Sequence, residues 1–323
     1  MKTILIIGST GQIGSELSKK LRSIYGSTKV VCGYYAPPYP DGFFEEGPCE
    51  KIDATQASDI ANVVKKYRID TIYNLAAILS AKAEENPLLG WNVGVNSLFN
   101  CLEVARELGC AVFTPSSIGA FGPETPGHKT PQDTVQRPKT IYGITKVTGE
   151  LLSDYYYKRW GVDTRSVRYP GIISNVTLPG GGTTDYAVEI FYKAVYGEKF
   201  YCPIKAGTFM DMMYMPDALN AAIQLMEADP ARLKHRNSFN ITAMSCDPEM
   251  LYATIKKHHP AFEMEYKIDT IKQTIASSWP DELDDTCARE EWDWTPEFDL
   301  NKTTEDMLRC LSERLLVNDT IKA

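Results

Sequence analysis

A phenol and an ammonium group stand four residues apart in the stretch YGITK, as Tyr142 and Lys146. Residues i and i+4 share one face of a helix, so this spacing places the two groups side by side. A free tyrosine has a pKa of about 10 and must lose about three units, worth roughly 4 kcal/mol, to accept a proton near pH 7. A cation about 4 Å away in an effective dielectric of about 20 supplies that much. The pair therefore predicts a general base that works without a histidine.

A hydroxyl group is the third candidate for chemistry. The run AVFTPSS, residues 111–117, predicts a strand that ends at Ser117. Ligands of open α/β sheets bind beyond the carboxyl ends of the strands, where a hydroxyl can orient a substrate hydroxyl and stabilise developing negative charge. We therefore expect Ser117 to complete a catalytic group with Tyr142 and Lys146.

Strands and helices alternate in the first half of the chain, which must position these groups. Apolar runs predict strands at residues 3–8, 29–34, 70–77, 111–117 and 163–169. Helical patterns cover residues 12–25, 59–67, 87–108 and 139–160. This alternation predicts an α/β protein with a Rossmann-type, doubly wound parallel sheet and helices on both faces.

The rhythm changes after residue 170, where loops lengthen and prolines recur. Helices are predicted at residues 184–197, 216–228, 247–258 and 301–316, among short strands. We expect a dinucleotide-binding domain over 1–170, a smaller α/β substrate-binding lobe over 171–316 and a tail over 317–323. One or two later segments are expected to return to the first sheet.

Three glycines, Gly8, Gly11 and Gly14, follow the first predicted strand and open the first predicted helix in the stretch GSTGQIG. Glycines at such a turn let the backbone approach a pyrophosphate closely, and the amides at the helix start face the anion. With the intervening Gln12 and Ile13, the turn predicts a dinucleotide site.

The second predicted strand ends at Tyr34, where a NAD-binding unit usually has an acid for the adenosine ribose. No arginine stands nearby in the sequence to neutralise the additional phosphate of NADP. An unneutralised phosphate would be the costlier misfit, so the sequence favours NAD, although Tyr34 leaves the choice between NAD and NADP open. Asp53, at the end of a third strand, and its neighbour Ala54 are expected at the adenine edge.

Composition excludes several classes of function. The 323 residues carry a formal net charge of −8, which argues against nucleic acid as a partner. No apolar run approaches the roughly 20 residues of a membrane-spanning helix. Neither the eight scattered cysteines nor the four histidines show metal-ligand spacing, so reduced thiols and no metal are expected. The N-terminal stretch lacks a secretory or transit signal, which predicts a cytoplasmic protein, or one of the mitochondrial matrix if the source is eukaryotic.

The motifs GSTGQIG, NLAA, PSSIGAFG and YGITK together resemble the extended short-chain dehydrogenase/reductase superfamily, of the NAD-dependent epimerase/dehydratase type. The resemblance covers nearly the whole chain and places Ser117, Tyr142 and Lys146 on the catalytic positions. It implies further cofactor contacts from the strand-end stretch and from the loop against the nicotinamide, namely Leu75, Ala76, Ala77, Tyr169 and Ile172. It also associates Asn96 with the active-site network.

Four other stretches, at residues 169–191, 212–217, 239–245 and 278–285, are most similar to the short-chain type of L-threonine 3-dehydrogenases. The similarity implies oxidation of the β-hydroxyl of L-threonine with hydride transfer to NAD+, without a metal, in a homodimer. Glycines at 180–182, followed by two hydroxyls before a helix, suit the substrate carboxylate. The expected substrate contacts are Ser80, Ser117, Tyr142, Gly182, Thr183, Thr184 and Trp279. Thr183, Thr184 and Asp185 also fit helix caps, and Trp279 also fits a core aromatic.

Two other functions remain open at this point. A nucleotide-sugar epimerase or dehydratase with tightly bound NAD needs arginine or lysine for a diphosphate. Residues 170–230 hold Lys193, Lys199 and Lys205 but no arginine, which favours a small zwitterion. A non-catalytic dinucleotide-binding redox sensor need not keep the Ser/Tyr/Lys group, and a turnover measurement separates it from an enzyme.

Overall fold

The computed structural model describes residues 2–177, 180 and 182–322, with the side chains of the last helix as far as Arg314. The strands are β1 (Ile4–Ile7), β2 (Val30–Tyr34), β3 (Cys49–Lys51), β4 (Thr71–Asn74), β5 (Ala111–Phe113), β6 (Ser116–Ser117), β7 (Thr164–Arg165), β8 (Val167–Tyr169), β9 (Gly171–Ile173), β10 (Phe200–Cys202), β11 (Met210–Tyr214), β12 (Phe239–Asn240), β13 (Met244–Cys246) and β14 (Met264–Tyr266). The α-helices are α1 (Gln12–Tyr25), α2 (Ala57–Tyr67), α3 (Ser80–Glu85), α4 (Pro87–Trp91), α5 (Ser97–Leu108), α6 (Ile141–Trp160), α7 (Tyr186–Val195), α8 (Met215–Glu227), α9 (Pro248–His258), α10 (Thr270–Ala276), α11 (Thr286–Trp292) and α12 (Leu300–Lys322).

A six-stranded parallel sheet in the order β3-β2-β1-β4-β5-β7 forms the centre of the first half. Successive side chains of a strand point to opposite faces, so the unbroken apolar run of β1 serves two cores. Ile4 and Ile6 pack with Leu17 of α1, whereas Leu5 and Ile7 pack with residues of α2 and α5. Helices therefore cover both faces, which confirms the predicted doubly wound, Rossmann-type sheet.

The second half builds the smaller α/β lobe. β9 runs parallel to β11, which runs antiparallel to β13, and β10 pairs with β14. Helices α7, α9 and α12 pack around a core of their own, which contains Phe191, Tyr214, Leu251 and Met307. β9 begins this lobe and is separated from the end of β8 by one residue.

Segments of the second half also complete the first core. β8 joins β6 to β12 in a separate three-stranded sheet, and α8 packs on α1. Ala218 and Leu219 of α8, together with Trp292 and Trp294, lie in the same core as Ile4. Residues from both sides of position 170 thus share one core. The domain boundary at residue 170 stays a prediction.

Several predicted elements differ in their limits. The segments 111–117 and 163–169 were each predicted as one strand, but β5 and β6 belong to different sheets, as do β7 and β8. The predicted helix 87–108 is divided by a π-helical turn at Asn92–Asn96, and the short helices α3, α10 and α11 carry too few turns to give a periodic signal. α12 continues to Lys322, so residues 317–322 extend the helix and do not form a tail; residue 323 lies outside the described part.

Candidate active site

The glycine turn connects β1 to α1 beside the end of β2. Gly8 has a φ of +81°, a conformation that favours glycine, and its N–H donates to Gly33 O at 3.2 Å. The Ser9 hydroxyl donates to the same oxygen at 2.9 Å. A Cβ on Gly14 would lie 2.2 Å from Gly8 O, so only glycine allows α1 to start this close to the turn. Gly11, the N-cap of α1, has no side chain to cap the helix, so an anion can take that place and the turn fits a dinucleotide pyrophosphate.

Tyr142 and Ser117 meet at a tight turn. α6 begins at Ile141, because the Thr140 hydroxyl oxygen accepts a hydrogen bond from Gly143 N at 3.0 Å and caps the helix. The helix start packs on the turn Ile118–Ala120, where Gly119 N donates to Ser117 Oγ at 3.1 Å. A Cβ on Gly119 would lie 3.0 Å from Tyr142 Cε1 and 3.5 Å from Ser117 Oγ. The two side chains therefore flank the same glycine.

Lys146 lies one helical turn after Tyr142, on the same face of α6. Its Nζ donates to Pro115 O at 2.8 Å and stands 5.4 Å from the centroid of the Tyr142 ring. The carbonyl holds the ammonium beside the phenol ring, as the four-residue spacing predicts. The structure thus brings Ser117, Tyr142 and Lys146 together, and their catalytic roles stay predictions.

These side chains lie in one cleft between the central sheet and the lobe. The cleft takes in most of the predicted site residues, namely Gly8, Gly11, Gln12, Ile13, Gly14, Leu75, Ala77, Ser80, Ser117, Tyr142, Lys146, Tyr169, Ile172, Gly182, Thr183, Thr184 and Trp279. Sequence reasoning did not place some of its neighbours there, namely Leu79, Pro115, Ser116, Ile118 and Asp185. Pro170 and Gly171 also line the cleft, within the loop that was predicted to face the nicotinamide. Each of the five missed residues lies within two positions of a predicted residue in the chain, but only the path of the backbone shows which neighbours face the cleft.

Small hydroxyl side chains from α3 and from the lobe meet at one side of the cleft. Ser80 Oγ and Thr183 Oγ1 lie 3.4 Å apart, and the two residues are only 4% and 1% exposed. Asp185 occupies the N-cap position of α7, and its carboxylate accepts a hydrogen bond from Gly182 N at 2.8 Å. A Cβ on Gly180 would lie 3.2 Å from Leu79 Cδ1, beside Ser80. Residues 178, 179 and 181 of this predicted glycine-rich stretch lie outside the described residues.

The loop predicted to face the nicotinamide, residues 169–172, packs closely against the lobe. A Cβ on Gly171 would lie 2.4 Å from Met212 Sδ and 2.7 Å from Thr184 Cγ2, so this close approach requires glycine. The Tyr169 hydroxyl donates to Ala218 O at 2.6 Å in the core. Burial raises the pKa of that phenol, so Tyr169 can line the site but has no free hydroxyl to offer.

The remaining predicted residues do not line the cleft. Tyr34 ends β2 and packs against a loop, and the Asp53 carboxylate accepts hydrogen bonds from Thr55 N and Oγ1 at 2.9 and 2.7 Å. Ala54 O accepts from Asn100 Nδ2 at 3.1 Å. Ala76 lines a small adjoining cavity with Leu75, Ala77 and Lys146. The exposed Asn96 donates to Asn92 Oδ1.

One group of potential metal ligands occurs among the residues that the structure describes. His235, Cys287 and Glu291 bring ligand atoms within 4.8 Å of one another, although their spacing in the sequence gave no such signal. The expectation of no metal stays a prediction. None of the three lines the cleft, and His235 Nδ1 pairs with the Glu291 carboxylate.

The described helices include none with the length and apolar character needed to cross a membrane. Residues 4–242 match the protein family described as NAD dependent epimerase/dehydratase. A Staphylococcus aureus protein, described as an uncharacterized epimerase/dehydratase, is 49% identical over 322 residues, which cover 100% of this chain and 99% of that protein.

Two solved structures resemble the chain over both of its halves. The L-threonine dehydrogenase from Clostridium difficile has a TM-score of 0.94 at 52% identity and covers 97% of this chain and 98% of its own. The holo form of a GalE-like L-threonine dehydrogenase from Cupriavidus necator has a TM-score of 0.93 at 46% identity and covers 96% of this chain and 99% of its own.

Proposed function

The chain belongs to the NAD-dependent epimerase/dehydratase family, and on that premise we propose that it oxidises the β-hydroxyl of L-threonine to 2-amino-3-ketobutyrate. The family and the holo relative imply a nicotinamide dinucleotide as the cofactor. The two solved relatives are L-threonine dehydrogenases at 52% and 46% identity. They support threonine as the substrate.

One observation carries the choice of a small substrate. Among the described residues that line the cleft, Lys146 is the only lysine or arginine, and its ammonium is already bonded to Pro115 O. An epimerase or dehydratase acting on a nucleotide sugar has to hold a diphosphate, usually with arginine or lysine. Ser80 of α3 and Thr183 and Thr184 of the lobe offer hydroxyl groups instead, which suit a small zwitterion. Trp279 is the aromatic side chain available to cover its methyl group or face its ammonium.

The chemistry follows from the arrangement around Gly119. Tyr142 takes the proton of the substrate hydroxyl, and the Ser117 hydroxyl orients the same oxygen. Lys146, fixed by Pro115 O, supplies the positive charge that favours the phenolate. A bound oxidised nicotinamide would supply the hydride acceptor for the carbon that bears this hydroxyl. The glycine turn and the Leu75–Ala77 stretch would hold the cofactor, with Tyr169 and Ile172 on the nicotinamide side.

Preference for NAD over NADP is part of the proposal, and an aromatic cluster at the adenosine end supports it. The rings of Tyr39, Phe43 and Phe44 surround the Tyr34 ring with centroids 5.4, 6.0 and 5.2 Å away. Gly33, the residue before Tyr34, accepts the hydrogen bonds of the glycine turn, so the cluster stands next to the pyrophosphate site. A 2′-phosphate against these rings would lose hydration, and none of the four rings offers a positive charge in exchange.

We include a homodimer and a reducing compartment in the proposal. Ile144, Leu151 and Tyr155 lie at i, i+7 and i+11 on α6 and are 42, 64 and 51% exposed. With the 45% exposed Phe99 on α5, they form an apolar stripe that suits a second copy of the chain. All eight cysteines are free, which supports the cytoplasm, or the mitochondrial matrix in a eukaryote.

The decisive experiment follows reduced-nicotinamide absorbance with L-threonine and NAD+, beside NADP+ and UDP-glucose. Tyr142→Phe is expected to lower kcat by about 10²- to 10⁴-fold while dinucleotide binding, measured by calorimetry, stays close to wild type. Tyr196→Phe, at a 54% exposed tyrosine of the lobe, is the control and keeps full activity. Conversion of UDP-glucose to its epimer without any oxidation of threonine would reject the proposal.

A further inference from the structure

A buried ion pair, Glu150 and Arg168, lies behind the catalytic group. Arg168 Nε donates to Glu150 Oε1 at 3.0 Å and Arg168 Nη2 donates to Glu150 Oε2 at 2.8 Å. The two side chains are only 6% and 7% exposed. Two parallel hydrogen bonds of this kind define distance and orientation together, which a single contact does not.

The polar atoms of both side chains also form hydrogen bonds with other residues. The Ser116 hydroxyl donates to Glu150 Oε1, and Gln136 Nε2 donates to Oε2 at 2.8 Å. Arg168 Nη1 donates to Gln132 O at 2.8 Å and to Asn240 Oδ1 at 3.0 Å. The guanidinium also lies 4.9 Å from the centroid of the Phe121 ring. The pair therefore ties together β6, the segment 121–140, α6, β8 and β12.

Three residues of this hydrogen-bonded network, Glu150, Ser116 and Arg168, lie next to predicted catalytic or cofactor-facing residues. Glu150 follows Lys146 by one turn of α6 and Tyr142 by two. β6 and β8 pair in parallel with Ser116 opposite Arg168 and Ser117 opposite Tyr169. A shift of α6 relative to β6 would thus change the distance between Ser117 and Tyr142, and the ion pair resists that shift.

We propose that Glu150 and Arg168 are a positioning pair, which fixes β6 and β8 against α6 so that Ser117 and Tyr142 act on one substrate oxygen. This inference rests on the proposed dehydrogenase function for its kinetic readout. Stability alone is a weak reason for such a pair, because the cost of removing both charges from water offsets most of their attraction. Positioning accounts for the fork geometry and for the Ser116 bond, since small misplacements of reacting groups cost large factors in rate.

The chain offers a matched control three residues earlier. Arg165 is 4% exposed and makes the same fork with Asp163, through Nε at 2.9 Å and Nη2 at 2.8 Å. Its Nη1 donates to Leu225 O and Ala228 O, so it ties β7 to α8 and touches none of the catalytic elements.

The test compares Arg168→Lys and Glu150→Gln with Arg165→Lys. Lysine keeps the charge but cannot form the fork. Arg168→Lys and Glu150→Gln are expected to lower kcat by at least about tenfold, with KM for L-threonine and NAD+ within about twofold of wild type. The double variant should lose little more than either single variant, because the two residues act as one unit. Arg165→Lys should keep kcat within about twofold even where its melting temperature falls.

Hydrogen exchange of the backbone amides gives a readout that does not depend on turnover. Arg168→Lys should speed exchange at the turn 118–120 and at the start of α6, and Arg165→Lys should not. If all variants keep the wild-type kcat, or if kcat and local exchange change equally in Arg165→Lys, the positioning role is refuted. If wild-type protein does not oxidise threonine but the exchange pattern appears as expected, the proposed function fails and the positioning of Ser117 and Tyr142 stands.

Discussion

Gly143 and Gly119 meet at a distance that leaves no room for a side chain. A Cβ on Gly143 would lie 2.2 Å from Gly119 O and 2.5 Å from Pro138 Cβ. This contact lets the start of α6, with Tyr142, rest on the turn that follows Ser117. Gly143 is therefore as necessary to the geometry of the site as Tyr142.

Replacing Gly143 by alanine should lower kcat by at least about 100-fold, because the helix start has to move away from the turn and Tyr142 moves with it. Steady-state kinetics with L-threonine and NAD+ measure the effect, and dinucleotide binding is expected to change little. Gly149→Ala is the control in the same helix: its Cβ would lie 3.1 Å from Leu98 Cδ2, a flexible side chain that can give way. Equal activity of both variants would contradict the tight contact.

Replacing Tyr34 by arginine should shift the cofactor preference toward NADP. A guanidinium at this strand end can pair with a 2′-phosphate, and we expect the ratio of kcat/KM for NADP+ to that for NAD+ to rise at least about tenfold, or about 1.4 kcal/mol. Tyr201→Arg, at a 54% exposed position in the lobe, adds the same charge elsewhere and should leave the ratio unchanged.

Use of NADP+ by the wild-type protein would point to one lysine as the ligand of the 2′-phosphate. Lys51 is the register partner of Tyr34 across β2 and β3. If the wild-type protein uses NADP+ as well as NAD+, and Lys51→Ala removes that use, then lysine holds the phosphate and the aromatic cluster does not select against it.

Replacing Asp211 by asparagine should flatten the fall of stability with rising pH. Burial, aided by repulsion from Glu282 and Asp285, raises the pKa of the Asp211 carboxyl well above its usual 3.8. A raised pKa in the folded state contributes stability that is fully present below pH 3.8 and is lost as the pH rises toward the folded value. Asparagine stays neutral, can still accept from Leu283 N and can donate to Thr242 Oγ1, the two partners of Asp211.

Urea unfolding at several pH values above about 4 measures this difference, which reaches at most about 1.4 kcal/mol per pH unit for one proton. The free energy of unfolding should fall more steeply with pH in wild type than in Asp211→Asn. Glu85→Gln removes the same formal charge from an exposed position and serves as the control. Parallel curves for wild type and Asp211→Asn would show that Asp211 is ionised in the fold.

Replacing Leu151 by lysine should convert the proposed homodimer into a monomer, because a charge would have to be buried in the apolar stripe of α6. Sedimentation velocity measures the mass of each species. Ile271→Lys changes a 69% exposed residue of α10 away from that stripe and should leave the dimer intact. A monomeric wild-type protein would remove this part of the proposal.

The sheet, the glycine turn and the Tyr142–Lys146 pair could be predicted from the amino-acid sequence, because each depends on short-range geometry. A strand-length apolar run favours burial, glycines between a strand and a helix favour a tight turn, and a four-residue spacing places two side chains on the same side of a helix. The same local rules failed at residues 111–117, because a run of apolar and small residues does not show that a chain leaves one sheet for another.

The surroundings of that pair could be seen only in the folded structure. Glu150 and Arg168, Ser80 and Thr183, and His235 and Glu291 are each far apart in the chain, and no local pattern marks such partners. The same holds for Ser116, which matters because its hydroxyl donates to the Glu150 carboxylate. Its neighbours in the sequence give no sign of that contact. Distances across a fold are set by the packing of whole elements, so the residues that hold the catalytic group in place become visible only when those elements are in contact.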